Sequence, residues 1–71
     1  MRQDLYRKKT REEAIERTLA LLREKRRPIL IGEAALAMGA LWTLEDAEAL
    51  LEFLASEGRL RKLPESKFEL V

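Results

Sequence analysis

The residues that could do chemistry in this chain are few in type and sorted along its length. There is no His and no Cys, which removes the side chain that titrates near neutral pH, the usual base for a hydroxyl or thiol nucleophile, and the ligands of a structural zinc site. Ser66 is a lone hydroxyl in the turn-forming cluster Pro64-Glu65-Ser66-Lys67, with no candidate base partner. The densest constellation is a set of carboxylates, Glu45, Asp46, Glu48 and Glu52, at i, i+3 and i, i+4 helical spacings. Such a set can in principle hold a hard cation. Calcium loops, however, add Asn or carbonyl ligands and a glycine kink, and this chain has no Asn and no such loop. The carboxylates therefore read as a solvated or partner-facing acidic surface. The expectation is a chain without enzymatic activity, metal or cofactor.

Charge is segregated by segment beneath a formal net charge of +1. Through Arg27 the balance is +5, from Pro28 to Gly58 there are six acids and no base, and from Arg59 onward it is +2. The acidic block contains the most strongly patterned stretch of the chain, Thr43 to Gly58, TLEDAEALLEFLASEG. Leu44, Ala47, Leu50, Leu51 and Leu54 follow the spacing that lines one helical face, so that face is expected to be core. Thr43 suits an N-cap accepting from the Asp46 N–H, Glu45, Asp46 and Glu48 suit the positive end of the helix dipole, and Gly58 suits a left-handed stop. Phe53 lies off that stripe.

The other elements must hold this helix. Thr10-Arg11-Glu12-Glu13 has the form of a capping box and predicts a first helix with Ala14, Ile15, Thr18, Leu19 and Leu22 as its buried stripe. Arg23, Lys25 and Arg26 suit its C-terminal end, and Pro28 stops it. Pro28-Ile29-Leu30-Ile31 predicts a short strand, with Gly32 as N-cap of a second, two-turn helix from Glu33 to Met38. In that helix Ala35, Leu36 and Ala37 are expected to pack, and Gly39 to end it. Arg59 to Leu63 and Phe68 to Val71, flanking Pro64 to Lys67, predict a terminal β-hairpin. Residues 1–9, with four bases and no helical apolar period, are expected to be a mobile basic arm.

A chain of 71 residues is one domain with a thin core, burying only about 60% of its unfolded surface. The 38% charged composition, rich in Leu, Arg and Glu, is thermophile-like. No apolar run reaches the roughly 20 residues of a membrane span, and the N-terminus MRQDLYRKK has no secretory h-region. A cytoplasmic location is expected, with no membrane partner and no evident small-molecule ligand.

The order helix, short strand, short helix, turn, helix, hairpin resembles a winged-helix domain, the winged helix-turn-helix of small bacterial transcriptional regulators. The resemblance runs from Thr10 to Val71. It rests on Ile29–Ile31 as first strand, on Glu33-Ala34-Ala35-Leu36-Ala37-Met38-Gly39, which is similar to the family's ELAEALG helix, on Thr43 as cap, and on Leu50, Leu51 and Leu54 followed by Glu57-Gly58-Arg59-Leu60. It implies an α+β fold of three helices and a three-stranded antiparallel sheet, acting as a non-enzymatic nucleic-acid-binding or transcription-associated module. The helix from Thr43 takes the place of the recognition helix, so Thr43, Glu45, Asp46, Glu48, Ala49 and Glu52 are the base-readout positions or, alternatively, the face that meets a partner. Carboxylates there oppose a phosphate backbone. Contact with double-stranded DNA is therefore expected from Arg59, Arg61, Lys62 and Lys67 on the hairpin and Lys8, Lys9 and Arg11 near the arm. The alternative is a protein-interaction winged helix whose acidic helix binds a basic partner or another copy. Leu41, Trp42 and Phe53 are a candidate dimer patch, Trp42 otherwise serving as a core lid.

Overall fold

The computed structural model describes residues 7–71, which form three α-helices and a three-stranded sheet. Helix α1 spans Arg11–Lys25, strand β1 Ile29–Leu30, α2 Ile31–Met38, α3 Leu44–Ser56, β2 Leu60–Leu63 and β3 Lys67–Leu70. The sheet is antiparallel with order β1-β3-β2, so the last strand lies in the middle. Ile29 faces Phe68 in one pairing, and Lys62 faces Phe68 in the other.

Helices α1 and α3 begin where their caps are written. The Thr10 hydroxyl accepts from the Glu13 N–H at 3.2 Å while the Glu13 carboxylate accepts from the Thr10 N–H at 2.8 Å, completing a capping box. Thr43 accepts from the Asp46 N–H at 3.0 Å. The end of α3 is equally explicit. Gly58, at φ 78°, donates to the Ala55 carbonyl and Arg59 donates to the Leu54 carbonyl, the paired bonds of a Schellman motif. This turn delivers the chain into β2.

The start of α2 differs from the expectation. Ile31 is helical rather than extended, β1 is only two residues long, and Gly32 lies inside the helix instead of capping it. The reason is Glu33, whose carboxylate accepts from the Leu30 N–H at 3.0 Å and from both terminal nitrogens of Arg27. That anchor sets the helix start two residues earlier than the glycine does. At the other end of α2, Arg17 Nε donates to the Ala37 carbonyl at 2.6 Å, satisfying one of the otherwise unpaired terminal carbonyls.

The core lies between the helices and one face of the sheet, with Leu22, Ile29, Met38, Leu50, Leu51, Leu54, Leu60 and Phe68 buried. Thr18 is fully buried, its hydroxyl donating to the Ala14 carbonyl at 2.8 Å. Two expected core residues are not in the core. Leu44, in the first turn of α3, is 62% exposed, and Leu36 is 84% exposed because α2 turns Ala34, Ala35 and Met38 inward. Ile15 is only half-buried. Among the described residues no helix is long and apolar enough to cross a membrane.

Candidate interaction surface

Helix α3 meets α2 and β2 with its apolar stripe, which leaves Glu45, Glu48 and Ala49 exposed on the opposite side. The remaining two carboxylates of that helix are compensated from elsewhere in the chain. Lys8 Nζ lies 2.5 Å from an Asp46 oxygen, and Lys62 Nζ lies 2.5 Å from a Glu52 oxygen. Lys62 can reach α3 because it shares the core-facing side of the sheet with Phe68 while standing on an edge strand. The hydrogen bond from Lys8 is the main cause holding the Asp46 carboxyl below its ordinary range. The hydrogen bond that Lys62 donates to Glu52 holds the Lys62 amine above its own.

Three of the remaining five bases of the expected phosphate-binding set are similarly engaged. Arg61 donates to Glu69 at 2.9 Å across the outer face of the hairpin, and Lys67 lies 3.7 Å from Glu65 at its tip. The Arg11 guanidinium carbon stands 4.0 Å from the Phe53 ring centroid, a cation–π arrangement. Lys9 runs its aliphatic stem over Gly39. Arg59 alone among these seven is exposed with no ion pair or ring contact among the described residues. Five of the seven cations, Lys8, Arg11, Arg61, Lys62 and Lys67, are thus engaged by a carboxylate or a ring within the chain, and Arg59 and Lys9 have neither among the described residues.

The arm expectation falls partly on residues 1–6, which lie outside the described residues. Residues 7–9 are tied down. Arg7 pairs with Glu13, Lys8 with Asp46, and the Lys9 carbonyl accepts from Trp42 Nε1 at 3.0 Å. Trp42 is half-buried beneath this segment, with Lys8 Nζ 4.6 Å from its ring centroid. Leu41 is exposed, and Phe53 lies under Arg11. Lys8, Arg11, Asp46 and Ala49 lie beside Trp42, and the Arg11 guanidinium covers Phe53, so charged groups border both rings.

A different apolar surface is present. Gly32 and Leu36 lie along the outer stripe of α2, and with Ala40 in the turn that follows, Trp42 and Leu44 they line an open groove of about 570 Å³. Sequence reasoning missed it. The available signal was Leu36 itself, which falls opposite the Ala34, Ala35 and Met38 stripe once α2 is drawn as a helix. No known protein family, curated protein or solved structure matches the chain.

Proposed function

We propose that this chain is a winged-helix module without catalytic activity that acts by protein contact, with the exposed side of α3 and the adjoining edge of α2 as the partner surface. The element order and the pairing of β1 with a C-terminal hairpin support the winged-helix reading. One observation carries the choice of partner. The bases near α3 are already bound to Asp46, Glu52 and Phe53, while Glu45 and Glu48 stand without an ion pair among the described residues beside exposed Leu36 and Leu44. A phosphate backbone meeting this face would encounter carboxylates and aliphatic surface. A basic, partly apolar protein surface complements it.

Nucleic-acid binding is the second reading. Its support is at a different place: Arg59 on the hairpin, and Arg23, Lys25 and Arg26 at the end of α1, are exposed without ion pairs among the described residues. Exposed pairs such as Arg61–Glu69 also exchange readily for another anion.

The protein-contact reading is tested by titrating poly-lysine against the wild-type chain, against E45K/E48K, and against E12K/E16K, which changes net charge equally on the exposed side of α1. The expected result is at least about tenfold weaker binding for E45K/E48K, equivalent to about 1.4 kcal/mol, and a much smaller loss for E12K/E16K. Equal losses for the two variants would mean that only net charge is being read.

A further inference from the structure

We infer that the groove between α2 and the first turn of α3 is a docking site for one face of a basic amphipathic helix belonging to a partner protein. This deepens the protein-contact reading and rests on it. The apolar half of the argument is geometric. Leu36 and Leu44 are 84% and 62% exposed, yet they face each other across a concave surface floored by small residues. At Gly32 a side chain would meet nothing within 4 Å, so the floor is open rather than filled from within. The groove volume of about 570 Å³ is in the range that accommodates several apolar side chains. Clustered apolar surface of this kind, rimmed by charge, is characteristic of contact sites rather than of scattered surface leucines.

The rim charge selects the occupant. Glu45 follows Leu44 directly and Glu48 lies one turn further along the same side of α3; both are exposed and neither has an ion pair among the described residues. Among the described residues two cations stand by the groove: Lys9, whose stem closes the Gly39 end, 3.6 Å from where a Cβ would stand, and Lys8, which lies over the Trp42 ring and is paired with Asp46. Glu33, at the start of α2, is held by Arg27. The accessible charge along the α3 side is therefore negative. A helix that seats i, i+3 or i+4, and i+7 apolar anchors in such a groove brings its flanking Lys and Arg over Glu45 and Glu48. A second copy of this chain offers Leu70 and Val71 beside Arg26 and Arg27, but those apolar residues sit at a strand end and supply no helical row of anchors.

Trp42 is the only Trp in the chain and lines the groove, so its emission reports occupancy. The probe is a synthetic peptide of Leu and Lys at amphipathic helical spacing, about four turns long, with a Leu/Glu peptide of the same pattern as control. The expected result is a saturable shift of Trp42 emission with the Leu/Lys peptide and none with the Leu/Glu peptide. Affinity should fall at least about tenfold in L36S/L44S and in E45K/E48K. Both variants change only exposed residues, and circular dichroism verifies that they remain folded. If L36S/L44S binds as the wild type does while E45K/E48K does not, the acidic face alone recognises bases and the groove assignment is overturned with the protein-contact reading intact. Absence of any shift with the Leu/Lys peptide, where the poly-lysine result holds, overturns the groove assignment in the same way. A Trp42 shift that tracks protein concentration without peptide, with a dimer mass in sedimentation, replaces the partner helix by a second copy.

Discussion

Helices α1 and α3 carry their charge in opposite ways. On α1, Glu12 and Glu13 sit in the first turn and Arg23 and Lys25 in the last, so the helix dipole is complemented at both ends by residues of the helix itself. On α3, Glu45 and Asp46 suit the first turn but no base occupies the last. Its compensation comes through tertiary structure, from Lys8 before α1 and Lys62 on β2, which pair with Asp46 and Glu52; Glu45 and Glu48 have no ion pair among the described residues, although Glu48 is near enough to help raise the Lys62 amine. The ends of α1 are complemented by its own residues, while Glu13 also pairs with Arg7 and Arg11 stacks on Phe53. Glu45 and Glu48, exposed and without an ion pair among the described residues, are what a partner can use.

The largest way to break this contrast is to remove the seat of α3. Leu54→Ala, at a fully buried position, should destabilise by about 2–5 kcal/mol. Leu36→Ser on the exposed side should change stability by no more than about 0.5 kcal/mol. Urea titrations of both variants check the difference, and comparable losses would mean that Leu36 is packed after all.

The caps give a smaller and more even comparison. Thr43→Ala and Thr10→Ala should each cost about 1 kcal/mol. Near-equal values would show that the caps are interchangeable although only Thr10 has a reciprocal glutamate. A loss for Thr43→Ala much larger than for Thr10→Ala would mean that the start of α3 depends on more than its cap.

Acid sharpens the contrast between local and tertiary compensation. Hydrogen bonds from Arg7 and then from the Thr10 N–H hold the Glu13 carboxyl at about 2, against the usual 4.5. Arg27 and then the Leu30 N–H do the same to Glu33, also at about 2. Because the folded values lie below the unfolded ones, their contribution is complete above about 4.5 and is lost as pH falls toward about 2. Urea midpoints should therefore decline across that window, with a shallower decline in E13Q and E33Q. The same slope in all three proteins would place the acid sensitivity elsewhere. The smallest expected effect is on Lys62→Ala, which frees Glu52 and should tighten binding of a basic peptide only severalfold.

The elements of the fold were legible wherever a boundary is set by neighbouring residues. Thr10, Thr43, Gly58 and the Pro64–Lys67 turn each mark a local stop or start that the structure keeps. The start of α2 was not legible, because it is fixed by Arg27 reaching Glu33 across six residues rather than by Gly32. The same spacing recurs between Arg7 and Glu13, so an arginine six residues before an N3 glutamate is the pattern to look for. The surface was legible in sign but not in pairing. The sequence shows that α3 is acidic and the hairpin basic. Which carboxylates Lys8 and Lys62 neutralise depends on residues 38 and 10 positions apart being brought together by the fold. Leu36 and Leu44 were taken for core because their apolar character was read without knowing which stripe of a short helix, or which turn of a long one, has a neighbour.

The most direct test of the claim that this chain acts by protein contact rather than by phosphate contact from its hairpin is a fluorescence-anisotropy titration of a mixed-sequence DNA duplex. It is made at about 50 mM salt, the low end of the range over which such affinities are compared, with the wild-type chain and with R59A/R61A/K62A. The prediction is that any duplex binding is weak and changes little in the triple variant. Tight binding that falls steeply with salt and is lost in R59A/R61A/K62A would contradict it.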